Sequence, residues 1–179
     1  NTLIVFASDN GAQPKLWSTA SEDVKKWDGS DNVPMRGEKG SLWEGGIRVP
    51  MLAYWPGVIP AGQIIEDPVI SLDFIATTHK LINGTIPEEF DGVNLLPSLT
   101  GATNSVERAN PLFWDYENEI ATREGDWKLR RSASGDYLFN LREDPYELQN
   151  LAYKEPEMRD HLIEKLNEHE ASLPENGRA

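Results

Sequence analysis

An acid and an amide stand together where an apolar stretch of the sequence ends. Asp9 and Asn10 directly follow the run "TLIVFAS", and Gly11 comes next. Carboxylate and amide oxygens are hard ligands, which suit calcium or magnesium better than a softer metal. Calcium takes about six to eight oxygens, so other residues would have to complete such a site. Asp-Asn-Gly is also a common turn signal, and from the residues alone a plain turn remains open.

A second stretch, "MRGEKGSLWEGGIRVP", combines glycines with cations. Its glycines allow the backbone to pass close to a ligand, and Arg36 and Lys39 offer positive charge that could meet a tetrahedral anion. The spacing is not that of a Walker A phosphate loop. A solvated loop lysine remains the plain alternative, and we expect Arg48 to pair with Glu38 or Glu44 and so hold the loop.

The strand that positions Asp9 and Asn10 is predicted to be buried. Its continuous apolar character is typical of a strand covered on both faces within a parallel or mixed sheet. Ligands gather beyond the carboxyl ends of strands in open α/β sheets, which is the edge at which this pair stands. Residues 12–35 are predicted to form a long surface loop, and residues 47–57 a second core strand closed by a Pro-Gly turn.

A helix is predicted over residues 71–84. Ser71 is the candidate N-cap, and Asn83-Gly84 is the stop signal. Apolar residues at helical spacing indicate a face that lies on the sheet. These residues are Phe74, Ile75, Thr78 and Ile82.

The pattern changes near residue 105. Short alternating segments separated by turn signals predict an antiparallel meander of three or four strands, and a helix is predicted after Pro156. We therefore expect an α/β fold, with part of a mixed sheet and flanking helices in residues 1–105. A small α+β subdomain, an antiparallel sheet with a C-terminal helix, is expected in residues 106–179.

Composition excludes several classes of function. The chain has 179 residues, a net charge of −13 and no cysteine. The acidity argues against sequence-independent binding to nucleic acid, and the lack of cysteine excludes disulfides and thiolate metal sites within these residues. No apolar run is long enough to cross a bilayer. Because Asn1 opens directly onto the first apolar run, we interpret the chain as a fragment.

Taken together, the motifs resemble the later half of the type I sulfatases, the formylglycine-dependent members of the alkaline phosphatase superfamily. "NTLIVFASDNG" and "MRGEKGSLWEGGIRVP" carry most of the likeness. "SLDFIATTHKLING", "DGVNLLPSLTG", "TREGDWKLRR" and "LFNLREDPYELQNLA" follow in the family's order. The resemblance covers nearly the whole chain.

The resemblance implies roles for named residues. Asp9 and Asn10 match half of the family's calcium site, and magnesium is the alternative metal. Lys39 matches the lysine that contacts the sulfate and helps to stabilise the departing group, and Arg36 is a further candidate for substrate binding. Related phosphodiesterases and phosphonate hydrolases commonly have Asp-His-Gly here, so Asn10 favours the sulfatase branch.

Other parts of the family's active site are missing from this sequence. The nucleophile is a formylglycine made from the Cys or Ser of C/S-x-P-x-R, and that motif is absent. We therefore expect the isolated chain to be inactive and the intact protein to cleave sulfate esters of small molecules or glycans. Alternatives are a phosphoester or phosphonate hydrolase, or a non-catalytic domain binding calcium or an anionic saccharide.

Two further expectations concern assembly and location. A strand that expects missing neighbours leaves an open sheet edge, and a homodimer could cover it. The resemblance implies a periplasmic or secreted protein, because many bacterial members are exported.

Overall fold

The structure is a computed structural model that describes residues 1–13 and 31–173. Contacts group these residues into two units, one from Asn1–Ala7 and Met51–Asn110, the other from the described parts of Ser8–Pro50 and Pro111–Ala179. The predicted domain boundary at residue 105 stays a prediction. Most of the predicted loop at 12–35 lies outside the described residues.

The first unit contains two short strands and two helices. β1 (Ile4–Ala7) pairs antiparallel with β2 (Met51–Tyr54). The helices are α2 (Ser71–Asn83) and the short α3 (Leu96–Leu99). Both predicted strands are therefore present, and they are hydrogen-bonded directly to each other.

The first strand is predicted to be buried on both faces, and this prediction is wrong for the described structure. Ile4 is 52% exposed and Phe6 is 61% exposed, and Leu52 and Tyr54 opposite them are exposed as well. The reason is that the described sheet has only these two strands, so no further layer buries their side chains.

Helix α2 has the predicted extent but a different start. Ser71 is its first residue rather than its N-cap, because Asp73 reaches back and its Oδ2 accepts the N–H of Ile70 at 2.8 Å. The predicted stop is confirmed. Gly84 adopts φ 76°, a left-handed conformation that glycine takes without steric cost.

The buried face of α2 is not the predicted one. Ile75 is 57% exposed and Ile82 is 76% exposed, whereas Asp73, Ala76 and Thr77 are buried. Polar contacts explain this choice, since the side chains of Asp73 and Thr77 accept the N–H groups of residues 93 and 95. The predicted apolar stripe forms an open groove instead.

The second unit is built on the predicted antiparallel meander, which is confirmed with four strands. These are β3 (Leu112–Tyr116), β4 (Glu119–Glu124), β5 (Trp127–Ser132) and β6 (Gly135–Asn140), in that order across the sheet. Helix α4 (Pro156–Ser172) follows the sheet, as predicted.

The two faces of this sheet have different neighbours. Directly opposed residues of adjacent strands share a face, so the register places Thr122, Leu129 and Leu138 together. Leu129 and Leu138 pack in a buried cluster with Leu162 of α4. The other face carries basic and aromatic side chains and meets the loop described below.

Among the described residues, no helix is both long enough and apolar enough to cross a membrane.

Candidate functional site

The segment after β1 is hydrogen-bonded to the glycine-rich loop, by which we mean residues 35–50. The N–H of Gly11 donates to the carbonyl of Gly46 at 2.9 Å, and the N–H of Lys39 donates to the carbonyl of Ala12 at 3.1 Å. Asn32 bridges the two segments: its side-chain amide bonds the N–H and carbonyl of Ala12 at 2.7 and 2.8 Å, and it donates to the carbonyl of Gly37 at 3.2 Å. The structure thus brings the two predicted site stretches together.

Glycines make this close approach possible. A Cβ on Gly11 would lie 1.8 Å from the carbonyl oxygen of Gly45, and a Cβ on Gly46 would lie 2.1 Å from that of Ser41. Neither distance is sterically possible for a side chain. The short helix α1 (Glu44–Ile47) contains Gly45 and Gly46. Its backbone therefore packs directly against the backbone of Gly11 and of Ser41.

The four predicted site residues lie on this assembly. Asp9, Arg36 and Lys39 are exposed, and Asn10 is partly exposed. The backbones around them are joined as described, which places the predicted metal ligands and the predicted sulfate-contacting lysine on adjoining segments. Their roles stay predictions.

The donor set fits a partial metal site. Asp9 and Asn10 present hard oxygens at the surface of the loop, and such oxygens suit calcium or magnesium. Within residues 1–13 and 31–173, no group of three or more His, Cys, Asp or Glu side chains could hold a metal ion. Further ligands must therefore come from elsewhere if these two residues hold calcium.

Arg36 is held by an aromatic ring. Its guanidinium carbon lies 3.6 Å from the centroid of the Trp43 ring, and that of Arg130 lies 4.2 Å from the same centroid. Trp43 also packs edge-on against Tyr137, with ring centroids 5.6 Å apart. Arg130 is paired with Glu119, but within the described part of the chain no carboxylate lies at ion-pair distance from Arg36. The exposed Arg36 guanidinium therefore keeps a positive charge that no described carboxylate compensates.

A buried ionic cluster lies beneath the loop and was missed in the sequence. Lys128 Nζ lies 2.8 Å from Glu44 Oε1 and 2.8 Å from Glu147 Oε1, and all three side chains are at most 2% exposed. Arg123 Nη1 is 3.9 Å from the other oxygen of Glu44. The expected pairing of Arg48 with Glu38 or Glu44 is wrong: among the described residues Arg48 forms an ion pair with neither, and Lys128 occupies the carboxylate of Glu44.

Burial changes the proton affinity of two groups in the cluster. Desolvation raises the pKa of Glu147, opposed by the charge of Lys128. Desolvation also lowers the pKa of Arg123, opposed by the charge of Glu44.

No local signal in the sequence could have identified Lys128. Trp127 and Leu129 alternate with Lys128 and Arg130, a pattern that predicts basic side chains facing solvent. Lys128 and Arg130 are buried because the glycine-rich loop covers that face of the sheet. This is a contact between distant segments, which periodicity does not report.

Comparisons with known proteins agree with the resemblance. Residues 37–174 match the family described as N-sulphoglucosamine sulphohydrolase, C-terminal. Over 136 residues, 75% of this chain, the sequence is 40% identical to steryl-sulfatase of Rattus norvegicus, of which it spans 22%.

Solved structures show the same fold. The crystal structure of Ps i-CgsB in complex with k-i-k-neocarrahexaose is 29% identical, with a TM-score of 0.79 over 94% of this chain and 36% of that one. A phosphonate monoester hydrolase of Agrobacterium radiobacter, 24% identical, shares the fold with a TM-score of 0.63 over 95% of this chain and 35% of its own.

These matches confirm the predicted fold class and the resemblance to sulfatases of the alkaline phosphatase superfamily. The chain spans about a fifth of the steryl-sulfatase that it matches. Since the family match covers most of its length, this chain belongs to the N-sulphoglucosamine sulphohydrolase C-terminal family of sulfatases.

Proposed function

We propose that the protein containing this chain hydrolyses sulfate monoesters to an alcohol and inorganic sulfate. The observation that carries the proposal is the hydrogen bond from the N–H of Lys39 to the carbonyl of Ala12, 3.1 Å long. It joins the segment with the candidate sulfate-contacting lysine to the segment with Asp9 and Asn10. Membership of the sulfatase family supports the reaction class.

Lys39 and Arg36 are proposed to bind the sulfate group. The Lys39 ammonium is a compact charge that can contact the sulfate oxygens. It can also stabilise the negative charge that develops on the leaving group. The Arg36 guanidinium, stacked on Trp43, offers a planar edge for a second contact with the sulfate or with a neighbouring anionic group. The two cations thereby orient the ester.

Asp9 and Asn10 are proposed to hold calcium, with magnesium as the alternative. Their hard oxygens and exposure fit a partial site, and the remaining ligands are expected from residues outside the described ranges. A bound divalent ion supplies Lewis-acid stabilisation of charge on the sulfate oxygens.

The nucleophile is expected from outside these 179 residues. The family's formylglycine motif is absent from the sequence, so we propose that the chain alone has no turnover. A sulfated small molecule or glycan is the proposed substrate class, which the match to steryl-sulfatase and the saccharide complex of Ps i-CgsB support.

The test compares ester classes with the longer protein that contains this chain. We expect 4-nitrophenyl sulfate to be hydrolysed faster than 4-nitrophenyl phosphate or a phosphonate ester. Lys39→Ala should lower kcat by about a hundredfold or more, as the loss of one transition-state contact does elsewhere. Lys154→Ala, an exposed lysine before α4, is the control and should leave kcat unchanged.

Three outcomes would contradict the proposal. Faster turnover of the phosphate or phosphonate would place the protein in the alternative hydrolase class. Binding of calcium or a sulfated saccharide without any turnover would favour a non-catalytic domain. Robust turnover by the 179-residue chain alone would show that the nucleophile lies within it.

A further inference from the structure

We propose that Lys128 is a positioning residue for the sulfate-binding loop, acting through the buried carboxylates of Glu44 and Glu147. This inference rests on the proposed function, since it assigns a role in the same site. Lys128 lies on β5, far in sequence from Asp9, Arg36 and Lys39.

The cluster fixes α1 by two kinds of contact. Lys128 Nζ holds the side chain of Glu44 at 2.8 Å. Glu147, the second neighbour of Lys128 at 2.8 Å, accepts the backbone N–H of Glu44 through its Oε2 at 2.7 Å. The first residue of α1 is thus held at its side chain and at its backbone by one buried ionic group.

From α1 the contacts continue directly to both site segments. The N–H of Gly45 donates to the carbonyl of Arg36 at 2.7 Å, and the carbonyl of Gly46 accepts the N–H of Gly11 at 2.9 Å. Gly45 and Gly46 are the residues next to Glu44. A shift of Glu44 therefore moves the backbone of Arg36 and of Gly11. Lys39 moves with them, because its N–H donates at 3.1 Å to the carbonyl of Ala12, the residue after Gly11.

Stability alone does not explain a cluster of this kind. Desolvating the charges of a buried ion pair commonly costs as much as their attraction returns, and apolar replacements are often neutral. Glu147 also adopts φ 57°, a left-handed conformation unusual for a residue other than glycine. Such backbone positions persist where the surrounding structure fixes them and are frequent at functional sites.

The experiment is a double-mutant cycle in the longer protein, assayed with 4-nitrophenyl sulfate. Lys128→Met should lower kcat/KM by about a hundredfold, the scale of an error of about 1 Å in positioning. In a Lys39→Ala background the same change should cost clearly less, about tenfold at most, because one of the contacts that it misplaces is already gone. Lys128→Arg, which keeps the charge, should recover most of the activity, and Lys154→Met should match the parent.

An equal loss from Lys128→Met in both backgrounds would overturn the inference, because general destabilisation acts regardless of Lys39. If Lys128→Met does not fold, the cycle is run with Glu147→Gln, which keeps the size of the side chain and removes its charge. The same two results, a smaller loss in the Lys39→Ala background or an equal loss in both backgrounds, decide the matter.

Hydrogen exchange separates failure of this inference from failure of the proposed function. If the parent protein does not hydrolyse sulfate esters, the proposed function fails. Positioning is then judged from the amides of Gly45 and Gly46. We expect Lys128→Met to speed their exchange at least tenfold relative to Lys154→Met, and unchanged protection would overturn the role of Lys128.

Discussion

At the scale of single residues, Glu147 combines full burial of a carboxyl group with a left-handed backbone conformation. Its side chain is fully buried beside Lys128, and burial raises its pKa above the ordinary value of 4.5. The folded protein therefore binds this proton more tightly than the unfolded chain does. Its contribution to the free energy of unfolding is greatest below pH 4.5 and is lost as the pH rises through the raised pKa.

Glu147→Gln removes this titration and should change the pH dependence of stability. We expect the free energy of unfolding of the variant, relative to the parent, to increase as the pH rises from 4.5 towards neutrality. Urea unfolding at a series of pH values measures the difference. Glu143→Gln, an exposed neighbour, is the control, and parallel curves for Glu147→Gln and the parent would contradict the prediction.

At the scale of elements, the packing of Gly11 against α1 decides whether the two site segments fit together. A Cβ on Gly11 would overlap the carbonyl oxygen of Gly45 at 1.8 Å, and a backbone carbonyl cannot turn aside as a flexible side chain can. Gly11→Ala must therefore separate the segment of Asp9 and Asn10 from the glycine-rich loop. In the longer protein, we expect Gly11→Ala to lower kcat/KM for a sulfate ester about a hundredfold.

Gly125→Ala is the matched control for this prediction. Gly125 has φ 56°, and a Cβ added to it would meet nothing within 4 Å, so its substitution costs only conformational energy, about 1–2 kcal/mol. It should lower the melting temperature and leave kcat/KM unchanged. The steric argument fails if Gly11→Ala retains full kcat/KM while its crystal structure or exchange pattern shows the loop undisturbed.

The start of α2 depends on one buried carboxylate. Asp73 accepts the N–H groups of Ile70 and Val93 at 2.8 and 2.9 Å, and it pairs with Arg108 at 2.6 Å. Asp73→Ala leaves these donors without a partner, and we expect it to lower the free energy of unfolding by about 3–5 kcal/mol. Ser71→Ala should change it by less than about 0.5 kcal/mol. Denaturant unfolding of both variants gives the comparison, and similar losses would restore Ser71 as the cap.

The same helix shows what the sequence could predict. Its extent follows from local signals, the helical spacing of apolar residues and the left-handed Gly84. Its buried face does not, because the hydrogen bonds that Asp73 and Thr77 accept from the backbone of Val93 and Leu95 outweigh the apolar stripe. Lys128 was missed for the same reason. Contacts between distant segments decide burial, whereas periodicity reports only local structure.

At the scale of the whole molecule, the sheet of β1 and β2 illustrates how burial depends on neighbours. Phe6 is 61% exposed and Leu52 is 56% exposed in the described structure, although the sequence predicts a covered strand. We expect further layers of the intact protein to bury these two side chains. Self-association through this sheet stays a prediction.

The metal site is where the chain and the longer protein should differ most. Asp9 and Asn10 are the two proposed ligands, and residues 1–13 and 31–173 contain no group of three or more acidic, histidine or cysteine side chains that could hold an ion. Calcium needs about six to eight oxygens. We therefore expect calorimetry to show no saturable micromolar binding of calcium to the 179-residue chain and clear binding to the longer protein.

Variants assign the binding to the proposed ligands. In the longer protein, Asp9→Ala should weaken calcium binding by more than about tenfold, because a lost charged ligand costs at least as much as a lost partner of a ligand. Asp91→Ala, an exposed acid in the other unit, should not change it. Tight binding by the short chain, abolished by Asp9→Ala, would instead mean that residues outside the described ranges complete the site within these 179 residues.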